Sequence, residues 1–191
     1  MPTPAAVAWV GERTLTGAHV RLEPAAEEHV PALVDAAANP EVWRWLPWPQ
    51  PRDADEMREL LALVREQCVP FAQVEVASGR AVGFTCFLDV QPAQRTIEVG
   101  GTWLGRPWWR TAINTEAKLL MLGHAFDDLG VNRVQIKTDH ENVRSQEAIA
   151  RIGGVREGVL RQDRITWNGH VRDTVLFSIL ADEYQAPNAG E

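Results

Sequence analysis

Hydrophobic and polar residues change their spacing several times along the chain, and each change predicts a new element. Alternating residues over 19–24 predict a short strand. Apolar residues at helical spacing predict helices over 27–39 and 53–67, and the second opens with acidic residues, as the helix dipole favours. Between them, the tryptophan- and proline-rich segment 41–51 predicts a loop or a short helix.

From residue 70 onward the pattern alternates between strands and helices. The predicted strands cover residues 70–77, 81–90, 95–104 and 133–139, with a closing hairpin over 159–180. The predicted helices cover residues 114–129 and 141–154. The pair Gly100-Gly101 lies inside a strand, which indicates a bulge or a close backbone approach. The pair Asn168-Gly169 is a strong hairpin signal.

This order of elements predicts a single mixed α/β domain over residues 17–184. Residues 1–16 are expected to form a loosely ordered N-terminal extension, and residues 185–191 a disordered tail. The 191 residues fit one domain, and 45% hydrophobic with 24% charged residues is typical of a globular protein with a real core.

The net charge and the cysteine content narrow the classes of partner and the cellular compartment that fit the chain. The net charge of −7 argues against a nucleic-acid partner, and an acidic chain can attract a cationic substrate such as an amine. The two cysteines, Cys68 and Cys86, are too few for a disulfide scaffold, which fits a cytoplasmic protein. The N-terminus lacks the features of a signal peptide, and no apolar run nears the roughly 20 residues of a membrane span. The histidines show no metal-binding spacing.

The segment PWWRTAINTEAKLL, residues 107–120, begins a long helix directly after a predicted strand. A helix start offers unpaired N–H groups and partial positive charge to a phosphate. Arg110 and Thr111 lie just ahead of it, so we expect them to contact phosphate directly. The alternative is that Arg110 is a surface charge and Thr115 only caps the helix.

Four segments in order resemble the GNAT N-acetyltransferases: IEVGGTWL, NTEAKLLMLGHAFDDLG, NVRSQEAIARIGG and RDTVLFSIL. The likeness covers residues 15–184 and is greatest to the RimJ/RimL-like branch, which acetylates N-terminal amines of ribosomal proteins. It implies an α/β fold of the α+β type. Its single, mostly antiparallel mixed sheet has a splayed parallel strand pair and flanking helices. It also implies that acetyl-CoA lies between the splayed strands, with its pyrophosphate at the start of the long helix.

The family's phosphate-loop pattern is Gln/Arg-x-x-Gly-x-Gly/Ala, and residues 109–114 depart from it at the first residue and at both small-residue positions. Ala112 is nearly as small as glycine, and Asn114 tolerates left-handed backbone well. The resemblance implies the cofactor-binding residues Trp103, Leu104, Arg110, Thr111, Ala112, Ile113, Asn114, Thr115, Asn142 and Ser145.

Acetyl transfer to an amine requires a base, a polarised carbonyl and a proton for the thiolate. The resemblance places a carboxylate at Glu98, which we expect to be the base; the alternative is a cross-strand ion pair. Backbone N–H groups freed at Gly100-Gly101 would polarise the carbonyl.

The proton donor for the thiolate is harder to assign. Many relatives use a tyrosine that this chain lacks at the matching position, because its one tyrosine is Tyr184. Ser145 shares a helix face with Ala148, Ile149 and Ile152, so we expect it to point inward. The resemblance implies that it lies near the sulfur. It could act as the acid or only donate a hydrogen bond while water does the rest. Asn142 would hold the pantetheine arm, or be an ordinary N-cap.

Three tryptophans, Trp43, Trp45 and Trp48, crowd one loop at the acceptor end of the implied cleft. We expect them to bind substrate by covering an amine or a peptide N-terminus; the alternative is packing of the loop onto the core. Trp103 is expected, by strand parity, to face away from Glu98.

These features predict an acetyl-CoA-dependent N-acetyltransferase without a metal. The amine attacks directly in a ternary complex, since no cysteine lies at a nucleophile position. The expected acceptor is a protein N-terminal amine. The alternatives are a small amine (a polyamine, an amino acid or an antibiotic), a non-catalytic acyl-CoA-binding module, and a scaffold that has lost CoA. Exposed strands leave room for a homodimer.

Overall fold

The computed structural model describes residues 3–11 and 13–184, so the predicted tail lies outside the described residues. Its strands are β1 (Leu15–Thr16), β2 (Val20–Pro24), β3 (Cys68–Glu75), β4 (Ala81–Gln91), β5 (Thr96–Leu104), β6 (Arg133–Asp139), β7 (Val155–Ile165) and β8 (Val171–Leu180). Its α-helices are α1 (Pro4–Val10), α2 (Val30–Ala36), α3 (Ala54–Gln67), α4 (Ala112–Gly123) and α5 (Val143–Arg151). The predicted elements from residue 19 onward are therefore confirmed, with small shifts at their ends.

The strands form one sheet in the order β1-β2-β3-β4-β5-β6-β8-β7. Every neighbouring pair is antiparallel except β5 and β6, which are parallel. These two pair only from Thr96 to Glu98 on β5 and from Arg133 to Gln135 on β6. Beyond that they separate, which confirms the splayed parallel pair that the resemblance implied.

Helices cover both faces of the sheet and close two hydrophobic cores. One core includes buried residues of α1, α4 and α5, such as Val10, Met121 and Ile149. The other includes buried residues of α2 and α3, such as Leu33 and Met57. Because both faces of the central strands are covered, the opening between β5 and β6 is flanked by helices. No helix among the described residues is long and apolar enough to cross a membrane.

The expectation of a loosely ordered lead-in is wrong for its described part. Thr3 caps α1 by accepting a hydrogen bond from the Ala6 N–H at 3.1 Å. Ala6 and Val10 are buried in the core, and β1 pairs with β2. A helix of seven residues is too short for its periodicity to stand out in sequence.

The glycine pair forms the predicted bulge in β5. Gly101 has φ +58°, and the β4–β5 register gains an extra residue on β5 between Gly100 and Trp103. An inserted residue reverses which face the following side chains occupy. Trp103 therefore packs with the α2–α3 core, on the face where Glu98 lies beside Leu88. The expectation that Trp103 faces away from Glu98 is wrong for this reason.

Glu116 of α4 holds the turn between β1 and β2. Its carboxylate accepts hydrogen bonds from the N–H groups of Ala18 at 2.8 Å, His19 at 2.7 Å and Val20 at 2.8 Å. Three backbone donors on one carboxylate bind strongly because the acceptor is charged. This contact ties the edge of the sheet to the helix that begins beside the β5–β6 opening.

We expect Glu116→Ala to lower the free energy of unfolding by about 2–3 kcal/mol, because it leaves backbone donors without their acceptor. Glu116→Gln keeps an acceptor oxygen and should cost about half as much. Urea unfolding followed by circular dichroism measures both. Glu59→Ala is the control, since Glu59 is exposed and has no hydrogen-bond partner among the described residues. Equal stabilities for the Glu116→Ala and Glu59→Ala proteins would contradict the prediction.

Candidate active site

A cleft of about 350 Å³ occupies the opening between β5 and β6. Its walls are residues 98–104 of β5, residues 136–139 of β6, the start of α4, the inner face of α5 and the loop that carries Trp45 and Trp48. Among the described residues, the backbone of β5 beyond Glu98 has no strand partner on the cleft side. It can therefore pair with the amides of an extended ligand.

The cleft is cationic although the chain is acidic. Seven of the nine charged side chains that line it are arginine or lysine, whereas the whole chain carries −7. These cations are Arg110, Lys118, Lys137, Arg144, Arg151, Arg164 and Arg172. The local field therefore favours anions, opposite to what the net charge alone indicated.

The start of α4 contributes Arg110, Thr111, Asn114 and Thr115 to the cleft wall. Thr111 is the N-cap: its Oγ1 accepts from the Ile113 N–H at 3.4 Å and donates to the Trp108 carbonyl at 2.8 Å. The cap is thus Thr111 and not Thr115. Because the Thr111 hydroxyl proton is already engaged, its backbone N–H is the group left for a phosphate.

Ala112 and Ile113 lie in the first turn of α4, but their side chains do not line the cleft. Ile113 is buried in the core. The left-handed residue here is Arg110, with φ +63°, whereas Asn114 lies inside the helix. A non-glycine residue in this conformation carries backbone strain, and such strain is common at ligand-binding positions.

Arg144 of α5 is a site residue that sequence reasoning missed. Its guanidinium lies 3.6 Å from the centre of the Trp109 ring, and Arg106 lies 4.5 Å from the same ring. Trp109 in turn donates its indole N–H to the Leu104 carbonyl at 2.8 Å. Burial, followed by the charges of Arg106 and Arg110, lowers the pKa of Arg144. This cluster of cations stands beside the helix start, where an anion would stabilise it.

The inner face of α5 matches its prediction. Ser145, Ala148, Ile149 and Ile152 all line the cleft. The Ser145 hydroxyl is half-buried and has no hydrogen-bond partner within residues 3–11 and 13–184. Asn142 is the N-cap of α5 and accepts from the Ser145 N–H at 3.2 Å, as the alternative held, and it also lines the cleft.

Glu98 lies in the cleft within an ion pair. Its Oε2 accepts from Lys137 Nζ at 2.6 Å and from Gln135 Nε2 at 3.2 Å, and its side chain is 12% exposed. The contacts of Glu98 are therefore those of a cross-strand ion pair, which was the alternative to a general base. The carboxylate already binds one ammonium group, so it can hold a cationic group in the cleft.

The three tryptophans of the loop separate in the structure. Trp43 is completely buried, donates to the Ala37 carbonyl at 2.9 Å and packs 5.0 Å from Trp103. It does not line the cleft, so a substrate-binding role for Trp43 is wrong, because the residue fills the core instead. Trp45 and Trp48 do line the cleft, and Trp45 is half-buried.

Trp103 and Leu104 line the cleft along β5, but both side chains are buried in the two cores. The Trp103 indole nitrogen has no hydrogen-bond partner in the part of the chain that the structure describes. Their backbone is therefore what they can offer to a ligand.

Lys118 of α4 is a second residue that sequence reasoning missed. It is 7% exposed, lines the cleft and donates to Thr102 Oγ1 and, at 3.2 Å, to Thr85 Oγ1. Across the described residues, no carboxylate lies within ion-pair distance of it. Burial lowers the pKa of Lys118 to about 7. The signal in sequence was a lysine one helical turn before the buried Met121.

The cysteines do not offer a nucleophile. Cys68 and Cys86 are both buried, and neither lines the cleft. Burial raises the pKa of the Cys86 thiol well above its usual value. No group of three or more His, Cys, Asp or Glu side chains within residues 3–11 and 13–184 could hold a metal ion.

Comparison with known proteins agrees with this geometry. The family model described as acetyltransferase (GNAT) domain matches residues 19–155. A GCN5-related N-acetyltransferase from Brucella melitensis is 30% identical, with a TM-score of 0.86 over 91% of this chain and 81% of that chain. A candidate ribosomal N-acetyltransferase of Bacillus subtilis, YdaF, is 29% identical over 74% of this chain and 79% of its own length.

RimJ of Mycobacterium smegmatis, solved in complex with CoA-disulfide, has a TM-score of 0.81 at 20% identity. The alignment covers 93% of this chain and 92% of RimJ. At this identity the likeness concerns the fold.

The chain belongs to the GNAT family of N-acetyltransferases, since the family model covers most of it. It is therefore an acyltransferase, and acetyl-CoA is the donor that this domain uses.

We expect the buried amine of Lys118 to make stability depend on pH. The pKa of Lys118 is about 7 in the folded chain, and its ordinary value is 10.5. Between pH 7 and pH 10.5 the unfolded chain therefore binds a proton that the folded chain does not. Raising the pH from 7 to 10 should therefore stabilise the wild type relative to Lys118→Met, by up to about 1.4 kcal/mol per pH unit.

Urea unfolding at pH 6, 7, 8 and 9 measures the difference between the two proteins. Thr85→Val is the control, because it removes a hydroxyl partner of Lys118 and leaves the amine. It should keep the pH dependence of the wild type. If the wild-type and Lys118→Met proteins change in parallel with pH, Lys118 does not titrate in this window.

Proposed function

We propose that this chain transfers the acetyl group of acetyl-CoA directly to a primary amine in a ternary complex, and that the amine is a protein N-terminus. The observation that carries the proposal is the opening between β5 and β6. It leaves the β5 backbone unpaired beside the start of a helix within a cationic cleft.

The donor would lie along β5. Its pantetheine amides can pair with the backbone of residues 99–104, as an added strand would. Its phosphates would meet the first turn of α4, where N–H groups lack partners, together with Arg110 and Arg144. The left-handed backbone of Arg110 supports this placement, because strain of this kind persists where a ligand is held.

The acceptor would enter at the other end of the cleft, beside Trp45 and Trp48. These aromatic rings can cover an extended peptide terminus, and the Glu98 carboxylate can hold an ammonium group. The name of the relative YdaF supports a protein N-terminus as the acceptor class.

The reaction requires one bond to form and one to break. The amine nitrogen, once deprotonated, attacks the thioester carbonyl carbon, and its proton passes to Glu98 directly or through water. The backbone N–H groups at the β5 bulge stabilise the oxyanion. The carbon–sulfur bond then breaks, and the departing thiolate takes a proton from Ser145 or from water.

Direct attack suits the residues present. A cysteine acyl-enzyme would need a thiol in the cleft, and both cysteines are buried away from it. Initial rates at varied acetyl-CoA and peptide should therefore give intersecting double-reciprocal lines. Parallel lines would contradict a ternary complex and favour an acyl-enzyme.

Arg110 provides the test of donor binding. We expect Arg110→Ala to weaken acetyl-CoA binding about tenfold, the value of one charge-assisted contact to phosphate. Arg110→Gly removes the same charge but relieves the left-handed backbone, so it should lose affinity while gaining stability. Titration calorimetry and urea unfolding measure the two effects separately. Unchanged affinity in both variants would remove Arg110 from the phosphate site.

Glu98 provides the test of the chemistry. We expect Glu98→Gln to lower kcat about 100-fold or more, as loss of a general base does, with little change in the KM for acetyl-CoA. Glu157→Gln is the matched control, because Glu157 is also held in an ion pair, with Arg133 at 2.5 Å, and lies outside the cleft. A raised KM for the peptide with unchanged kcat would instead make Glu98 a binding residue for the ammonium group.

A further inference from the structure

Arg172 of β8 is a buried cation without a direct partner. The residue is 7% exposed, and its Nε has no hydrogen-bond partner in the described part of the chain. It lines the same cleft as Glu98 and Trp45. A buried Nε–H without an acceptor is costly to keep, so its presence beside a ligand cleft points to an anion that binds this guanidinium.

A second arginine faces the same place. Arg164 of β7 lies directly opposite Arg172 in the antiparallel β7–β8 pair, and it also lines the cleft. Like charges at directly opposed positions destabilise a sheet. Burial is the largest cause that lowers the pKa of Arg172, and the charge of Arg164 is the next. Asp163 lies 3.3 Å from Arg164 and offsets part of this repulsion, and an anion bound at Arg172 would remove more of it.

The neighbouring carboxylates of the described residues do not form an ion pair with Arg172. Asp139, Asp163 and Glu98 act on its pKa through their charges, but none forms an ion pair with it among the described residues. Each already accepts a hydrogen bond from another side chain. These bonds are His170 Nε2 to Asp139 at 2.9 Å, Thr174 Oγ1 to Asp163 at 2.8 Å and Lys137 Nζ to Glu98 at 2.6 Å.

The position of the pair separates it from the cations at the helix start. The turn between β7 and β8 contacts the tryptophan loop: Trp167 donates to the Trp43 carbonyl at 3.2 Å, and the His170 ring lies 5.9 Å from Trp45. The other cations lie elsewhere: the Arg144 and Arg106 guanidinium groups lie over the Trp109 ring, beside the start of α4. The cleft thus has two distinct cationic ends.

We infer that Arg172, assisted by Arg164, binds a carboxylate of the acceptor, so that the acceptor is an amine with an acidic group close by. This inference rests on the proposed function. A guanidinium binds a carboxylate through two parallel hydrogen bonds, and Glu98 offers the opposite charge to the ammonium group. The carboxylate could belong to an aspartate or glutamate at the protein N-terminus, or to a free amino acid.

The first experiment compares acceptors that keep or lack their carboxylate groups. Release of free CoA thiol is measured with the amidated peptides Asp-Ala-Ala and Asn-Ala-Ala, and with free aspartate and its diamide. We expect kcat/KM to favour the acidic member of a pair about tenfold or more, the value of a charge-assisted contact. Equal rates for the acidic and neutral members of both pairs would overturn the inference. Preference for free aspartate over both peptides would keep the carboxylate site and replace the protein N-terminus as acceptor.

The second experiment changes the arginine. Arg172→Met should abolish the preference for the acidic peptide to within about twofold, and Arg172→Lys should retain part of it. Arg161→Met is the control, since Arg161 is an exposed residue of the same strand as Arg164 and does not line the cleft. Circular dichroism checks that each variant is folded. Loss of rate by the same factor for both peptides in Arg172→Met would overturn the inference.

Calorimetry separates failure of the inference from failure of the proposed function. Acetyl-CoA is first titrated into the wild type and Arg172→Met. No binding to the wild type would sink the proposed function itself. Weaker binding to Arg172→Met alone would assign the arginine to the donor's phosphates and overturn the inference. Each peptide is then titrated into wild type saturated with CoA. This measures the preference for the acidic peptide without turnover. Equal affinities for the acidic and the neutral peptide would count against the inference.

Discussion

The separation of β5 from β6 is the constraint on which the rest of the structure depends. Two parallel strands that pair over only three residues leave backbone donors and acceptors open in the middle of a sheet. Such groups are normally paired, and leaving them buried without partners is costly. The helices α4 and α5 flank the opening, and their apolar residues pack beneath it in one core. The fold therefore keeps open a place where a ligand with its own amide groups can pair with the strand.

The bulge in β5 links this opening to the charged residues around it. One inserted residue, at Gly101, changes the face of every following side chain. Thr102 then accepts a hydrogen bond from Lys118 on one face, while Trp103 packs against Trp43 on the other. A regular strand would exchange these two positions. It would bury a threonine among aromatic rings and leave Lys118 without an acceptor on β5.

Most elements could be predicted because periodicity and turn residues are local signals. The β6 and β7–β8 segments follow this rule, and the splayed pair could be expected from the order of four segments. The site was harder, because its chemistry depends on which side chains the fold brings together. Thr111 rather than Thr115 caps α4, since only the folded backbone decides where the first helical turn begins. Trp43 and Trp45 look alike in sequence, yet Trp43 is buried in the core and Trp45 lines the cleft.

The charged residues show most clearly which features of the site could not be predicted from the sequence. The net charge of −7 is a sum over the surface, and it hides a cleft in which cations outnumber carboxylates. Sequence reasoning did not identify Arg172 and Lys118, because burial rather than residue type makes them unusual. The net negative charge disfavours polyanions, while the cations of the cleft would favour small anions at both of its ends. Between those ends lies Glu98, a carboxylate that already holds an ammonium group. In the proposed complex, the phosphates of acetyl-CoA would lie at the start of α4, while the acceptor would place its carboxylate at Arg172 and its amine at Glu98.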